Sequence, residues 1–269
     1  MSLRGLQVTP PWEWPRGAAR QIMDVLANER AEASERLLAA ELAGDVTIIN
    51  DDFVELLLQI LDRGDFSDAL RCQAALSLGP VLEEVDIDGF DAPFGEPPIS
   101  EGMFRSIQAA LEKIHADNGM PKIVRRRALE ASVRAPRDWH RAAIRAAYGR
   151  RDRDWKVTAV FAMRWVDGFE REILESLESD DGEIRYQAVC AAGNWGVEAA
   201  WPHVAPILET ERGDRRMLLA AIEAVGSLRP KMAPDVLGEL IDDEDEEIAE
   251  AAMEVITLSE ADFLEVSED

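Results

Sequence analysis

Aromatic residues make up only 6% of this 269-residue chain, and β-branched runs are few. Both shortages argue against a sheet-based core. No run of about 18 apolar residues occurs, so no membrane-spanning helix is expected. Residues 1–15 lack the apolar centre of a secretory signal. Basic residues are also scarce: 29 Lys and Arg stand against 54 Asp and Glu, a formal net charge of −25. Such an excess keeps a chain soluble and repels nucleic acid and anionic membranes. Cys72 and Cys190 are the only cysteines, far apart in sequence, so no disulfide is expected and a reduced, cytoplasmic setting fits. No glycine-rich phosphate loop is present, and Gly17, Gly44, Gly64 and Gly79 read as isolated turn or cap residues.

What the chain has in abundance is Ala, Leu, Glu and Arg, all good helix formers. One helical phrase recurs. Glu35-Arg36-Leu37-Leu38-Ala39 leads to Gly44, Leu70-Arg71-Cys72-Gln73-Ala74 to Gly79, and Ile184-Arg185-Tyr186-Gln187-Ala188 to Gly193. In each, a basic residue precedes the alanine by three places and a glycine follows it by five. Val124-Arg125 before Ala128 and Trp155-Lys156 before Ala159 repeat the front half, while Ala221 to Gly226 repeats the back half. Ala252 closes the series. The alanines at 39, 74, 128, 159, 188, 221 and 252 are mostly about 30 residues apart, the period of stacked helix pairs. The expected fold is therefore an all-α solenoid of about seven helix pairs.

Within residues 18–258, the pair at 169–195 reads most clearly. Phe169, Ile173, Leu174 and Leu177 stripe one helix, and Ile184, Ala188, Ala191 and Trp195 the next, with Ser179-Asp180-Asp181-Gly182 as the capped turn. Residues 1–17, with Trp12 and Trp14 among prolines, read as an extended arm packed over the first repeat as a cap. Residues 86–101 interrupt the period and read as a long surface loop inserted in the array. Asp242 to Glu247 reads as a solvated turn leading into a helix, and 259–269 as an acidic tail.

The phrase hydrophobic-Arg-x-x-Ala at Leu70-Arg71, Val124-Arg125 and Ile184-Arg185 resembles the HEAT-repeat superfamily, in its bacterial, phycobilisome-lyase-type form. The resemblance extends over about residues 20–258. It implies a structural ladder between repeats made by Arg36, Arg71, Arg125, Lys156 and Arg185, with acids such as Asp152 and Asp181 as partners. Leu218 and Ala249 replace the basic residue in the last two repeats, so the ladder is expected to stop before them. The resemblance also implies a scaffold that binds another protein on its concave surface.

Helical geometry separates the faces. With each alanine at 0° and about 100° per residue, the basic position falls near the core side, and positions −1, +2 and +6 fall opposite. Arg127, Glu130, Arg134, Phe161, Trp165, Gln187 and Asn194 are the expected partner-binding residues there. Phe161 and Trp165, four residues apart beside charged neighbours, have the character of a hot spot. The competing reading buries both in the core.

Other chemistry is thinly supported. Glu84-x-Asp86-x-Asp88-Gly89 resembles the first half of a calcium loop, yet Gly95 stands where the twelfth-position acid belongs, and a solvated acidic turn is the expectation. His115, His140 and His203 are isolated in sequence and lack the neighbouring Glu of iron-binding helical-repeat hydroxylases. No metal, cofactor or catalytic set is expected. Residues 121–156 carry 12 Lys and Arg against 4 Asp and Glu, leaving −33 on the rest of the chain. That band raises a second reading, nucleic-acid binding like that of helical-repeat DNA glycosylases. Arg125, Arg126, Arg127, Arg134, Arg137, Arg141 and Arg145 would contact phosphates, and Trp139, Trp155 or Trp165 would stack on bases. The acidic remainder opposes it, and neutralisation by neighbouring acids is expected instead. The leading reading is a non-catalytic adaptor for a protein of basic or mixed charge. A further alternative, by resemblance alone, is an accessory subunit of a lyase-type enzyme.

Overall fold

The computed structural model describes residues 1–90, 96–210 and 213–266, with 210 and 261–266 as backbone only. Among these residues there is no strand, and no helix is long and apolar enough to cross a membrane. The fold class is all-α, of the α-solenoid kind. Seven successive helix pairs are present among the described residues, as the alanine series predicts. Their packing divides the chain into two compact units, 1–140 and 141–269, where the sequence reads as a single array.

In the first unit the pairs are α2 (Ala18–Ala27) with α3 (Ala33–Leu42), α4 (Asp51–Asp62) with α5 (Asp68–Ser77), and α7 (Glu101–Ala116) with α8 (Lys122–Ser132). The second helices pack in series, α3 on α5 and α5 on α8. The repeated alanines Ala39, Ala74 and Ala128 are fully buried in that layer. Only a methyl group fits there, since larger side chains would hold the helices apart.

The N-terminal arm is not extended. It begins with α1 (Leu3–Gln7), capped by Ser2 and packed on α3 through buried Leu3 and Leu6. The Trp14 indole N–H donates to the Leu6 and Thr9 carbonyls at 3.0 and 2.9 Å. Trp12 stays 79% exposed, so only one of the two tryptophans ties the segment down. The long step before Ala128 is also more than a loop. Pro80, which cannot continue α5, starts an extra helix, α6 (Gly79–Asp88), packed on α5, α7 and α8. Residues 86–88, expected in the loop, are thus helical. Residues 91–95 lie outside the described residues, and Ser100 caps α7.

Helix α9 (Asp138–Tyr148) runs from the end of the first unit into the second. It is followed by α10 (Arg153–Ala162), then α11 (Glu170–Leu177) with α12 (Gly182–Asn194). The last pairs are α13 (Trp201–Thr210) with α14 (Arg215–Leu228), and α15 (Ala233–Leu237) with α16 (Glu246–Val266). Again the second helices pack in series: α10 on α12, α12 on α14, α14 on α16. Residues 259–266, expected in an acidic tail, continue α16, and 267–269 lie outside the described residues.

The glycines five places after the alanines are not caps. A Cβ on Gly44 would stand 2.6 Å from the Ser77 carbonyl oxygen, and one on Gly193 would stand 2.9 Å from Ala224 Cα. Ser77 and Ala224 each lie three places beyond the next repeat's alanine. Gly79 faces Ala131 and Gly226 faces Val255 in the same register. The repeat spacing therefore encodes the close crossing of adjacent second helices, a packing role that Gly44 combines with its place in the turn after α3.

Candidate functional site

Three of the arginines implied as a ladder by the resemblance bond to backbone carbonyls. Arg36 Nε donates to the Leu26 carbonyl at 3.2 Å, Arg71 Nε to Leu61 at 3.0 Å, and Arg125 Nε to His115 at 2.8 Å. Each acceptor lies ten residues back, one residue before the end of the preceding helix, where carbonyls lack partners inside the helix. A guanidinium there also meets the negative end of the helix dipole. Arg36 and Arg71 are buried, so these bonds lock the two helices of one pair, and Arg71 also reaches Met120 in the turn of the next pair at 2.9 Å. The nearest acid to Arg71, Asp68, stands at 3.9 Å.

In the second unit the chain of ion pairs runs through other residues. Asp152 and Asp181 cap their own helices, accepting from backbone N–H groups at 3.0 to 3.4 Å. Arg153, next to its cap, reaches forward to Asp181 at 3.0 Å, while Lys156 lies 3.8 Å from Glu175. Arg215, next to its own cap Asp214, repeats the device with Asp245 at 3.2 Å and also meets Glu247. Arg216 binds Glu183 at 2.7 and 3.2 Å and holds its carboxyl below the usual range. Ion pairs of other residues thus continue into the last repeat, where Leu218 and Ala249 leave the expected ladder position without a charge. The readable signal was an Asp-Arg dipeptide at each of these two helix starts, 152–153 and 214–215.

Of the expected binding residues, Glu130 and Gln187 are not on an open face. Glu130 is 4% exposed, held by Arg127 and, at 3.8 Å, by Arg126. Its helix flank faces α5. Burial pushes the Cys72 thiol up to about 11, the Glu130 charge adding to this and Arg127 opposing it. Gln187 is likewise buried, with Nε2 donating to Glu183 at 2.8 Å. Treating each helix alone missed both, because adjacent second helices cover each other's flanks. Arg127 and Arg134 are half-buried, and Arg134 pairs with Glu83 on α6.

Phe161 and Trp165 are half-buried at the end of α10, with ring centres 4.8 Å apart. The Arg164 guanidinium lies 5.2 Å from the Trp165 ring and 6.0 Å from that of Phe161. This end is fixed from α12: Asn194 Nδ2 donates to the Arg164 carbonyl at 2.6 Å and the Trp195 indole to Met163 at 2.7 Å. Trp195, expected in the core stripe, is 43% exposed because its indole caps α10 instead. Beside the aromatic pair, Arg164, Cys190, Asn194, Glu223 and Ser227 line a cavity of about 180 Å³ over Gly193 and Ala224. Burial raises the Cys190 thiol's pKa, only partly offset by Arg164, so at neutral pH it is a neutral polar group rather than a nucleophile. The face offers aromatic area, one guanidinium and one carboxylate around a small hollow.

The remaining candidates are resolved by geometry. Glu84, Asp86 and Asp88 lie on helix α6, and no group of three His, Cys, Asp or Glu suited to a metal occurs among the described residues. Gly95 and its neighbours lie outside them. His115 and His140, isolated in sequence, meet around Trp139: His140 stacks on that indole at 3.8 Å and His115 lies 5.4 Å from it. His140 Nδ1 accepts from the Arg137 N–H at 2.8 Å, which leaves Nε2 as donor to Ser132 Oγ at 3.0 Å. Burial pushes its pKa down to about 4. In the basic band, Arg126 and Arg127 meet Glu130, Arg137 meets Gln108 and Arg141 meets Asp167. Arg145 lies over Phe169 and Arg150 over Trp155.

Fold and site together define an all-α helical-repeat protein. Residues 170–257, which span the pairs from α11 to α16, match the family of HEAT repeats. No curated protein matches the chain. Similar solved structures include YibA of Escherichia coli, 17% identical over 95% of this chain and 85% of its own, with a TM-score of 0.46. The CpcE–CpcF complex of phycocyanin lyase from Nostoc is 18% identical over 93% of this chain and 97% of its own, at 0.47. Human deoxyhypusine hydroxylase is 19% identical over 96% and 88%, at 0.40.

Proposed function

We propose that the chain is a non-catalytic adaptor that binds another protein on the face formed by α10, α12 and α14. The observation that carries this reading is the half-buried Phe161–Trp165 pair under Arg164, set beside a hollow floored by glycine and alanine. Large rigid aromatics with a guanidinium and a polar rim are what interface centres are made of. HEAT repeats commonly serve as such surfaces, which supports the reading by association. The nucleic-acid alternative loses support from the same residues it would use. Arg126, Arg127, Arg134, Arg137 and Arg141 have protein partners, and phosphate contacts would have to displace them. The accessory-subunit alternative is a special case of protein binding and has no residue of its own to carry it.

The test is comparative capture from native extract with the wild-type chain, Phe161→Ala and Trp165→Ala, each checked by circular dichroism. A partner held by the wild type and lost by both folded variants supports the reading. Partners retained equally by all three would remove it.

A further inference from the structure

A second cavity lies elsewhere in the second unit, among α13, α15 and the turn at 240–242. It has a volume of about 330 Å³ and is lined by Trp201, Ala205, Leu208, Val236 and Leu240, with the carboxylates of Glu209, Asp235 and Glu239. Leu208 and Leu240 are buried and form the floor, while Glu209 and Asp235 are exposed at the rim. The volume is at the small end of ligand sites, sized for a side chain rather than a cofactor. An apolar interior with the Glu209 and Asp235 carboxylates at its rim suits one type of group: a hydrocarbon stem that ends in a cation. Lysine and arginine have this form, and they lay the stem on apolar surface while the charge stays at the rim. The Trp201 ring already attracts one such group, the Arg229 guanidinium at 6.0 Å, itself paired with Glu198 at 3.3 Å.

We infer that this cavity receives a lysine or arginine side chain from a basic segment of a partner polypeptide. Charge complementarity selects that occupant, since the chain carries −25 overall and this rim adds carboxylates beside apolar area. An acidic segment would be repelled, and a purely apolar one would strip water from the carboxylates without compensation. The inference rests on the chain being a protein-binding one but not on the α10–α14 face.

The test uses the full chain with 15N-labelled indoles, assigning Trp201 by a Trp201→Phe variant. The probe is a short capped peptide of alternating leucine and lysine, compared with the same peptide acetylated at every lysine. The inference predicts that the Trp201 indole resonance moves with the lysine peptide and not with the acetylated one. The Glu209→Gln/Asp235→Asn variant should bind the lysine peptide about tenfold more weakly. Equal binding of both peptides, an unmoved Trp201 resonance, or full affinity in the double variant overturns the inference. A peptide that moves Trp165 instead overturns it as well, while leaving the reading of the α10–α14 face intact.

Discussion

Both units join successive repeats by surface ion pairs, Arg63 with Glu29 and Lys113 with Asp62 in the first, but the inward-turned arginines bonded to helix-end carbonyls are described in the first unit. In the first, Arg36, Arg71 and Arg125 turn inward and satisfy the last carbonyls of α2, α4 and α7. In the second, Arg153, Arg215 and Arg216 lie at the surface and join successive helix starts through Asp181, Asp245 and Glu183. A buried charged hydrogen bond is worth more than an exposed ion pair and is little screened by salt. The inward bonds of the first unit should therefore be stronger and little affected by salt, and the surface pairs, which carry the described fastening of the second, weaker and salt-dependent. The expected binding aromatics belong to the second.

The largest effect should come from Arg71→Ala, which strands the Leu61 carbonyl and empties the space of the arginine stem. A loss of about 3 kcal/mol in urea unfolding is expected. A loss below about 1 kcal/mol would erase the contrast between units. Gly44→Ala comes next. Its new methyl would stand 2.6 Å from backbone and force α3 and α5 apart, at about 2 kcal/mol. In the second unit, Gly226→Ala meets only a Val255 methyl at 3.3 Å and gains helix propensity, so it should cost nothing or stabilise. Thermal melts of the two variants, measured side by side, decide whether the register argument holds.

Acid should reach the first unit through His140. Its folded pKa, about 4, lies below the unfolded value near 6.5, so the unfolded chain takes up a proton first. The stabilisation is complete above pH 6.5 and is lost as pH falls toward 4. Between pH 6.5 and 5 the wild type should lose about 2 kcal/mol more than His140→Gln. Parallel pH profiles would refute this. The smallest effects should lie in the surface ion pairs. Asp181→Ala, which removes a helix cap, should cost about 1 kcal/mol. Arg153→Ala should cost less and lose its effect in high salt. A salt-insensitive cost for Arg153→Ala would contradict the account of the second unit.

The architecture was legible because the alanine spacing reports a packing requirement repeated in every pair. The glycine register was equally visible in sequence, yet its meaning needs the neighbouring helix: Gly44 looks like a cap until Ser77 is placed against it. The same limit explains Glu130 and Gln187. A helical wheel assigns one helix's face but not which flank the next helix covers. Trp195 left its apolar stripe because its indole had a carbonyl to satisfy, and His115 on α7 and His140 on α9 come together around Trp139 through tertiary packing rather than sequence spacing. The Asp-Arg starts went unread because the family pattern directed attention three residues further on.

The central functional claim rests on Trp165, and Trp165→Ala tests it directly when both affinity for the captured partner and unfolding free energy are measured. A loss of about 2 kcal/mol or more in binding is expected, with a smaller change in stability, since the ring is only half-buried. A variant that loses about 3 kcal/mol or more in unfolding yet binds normally while folded would place Trp165 in the core and contradict the claim.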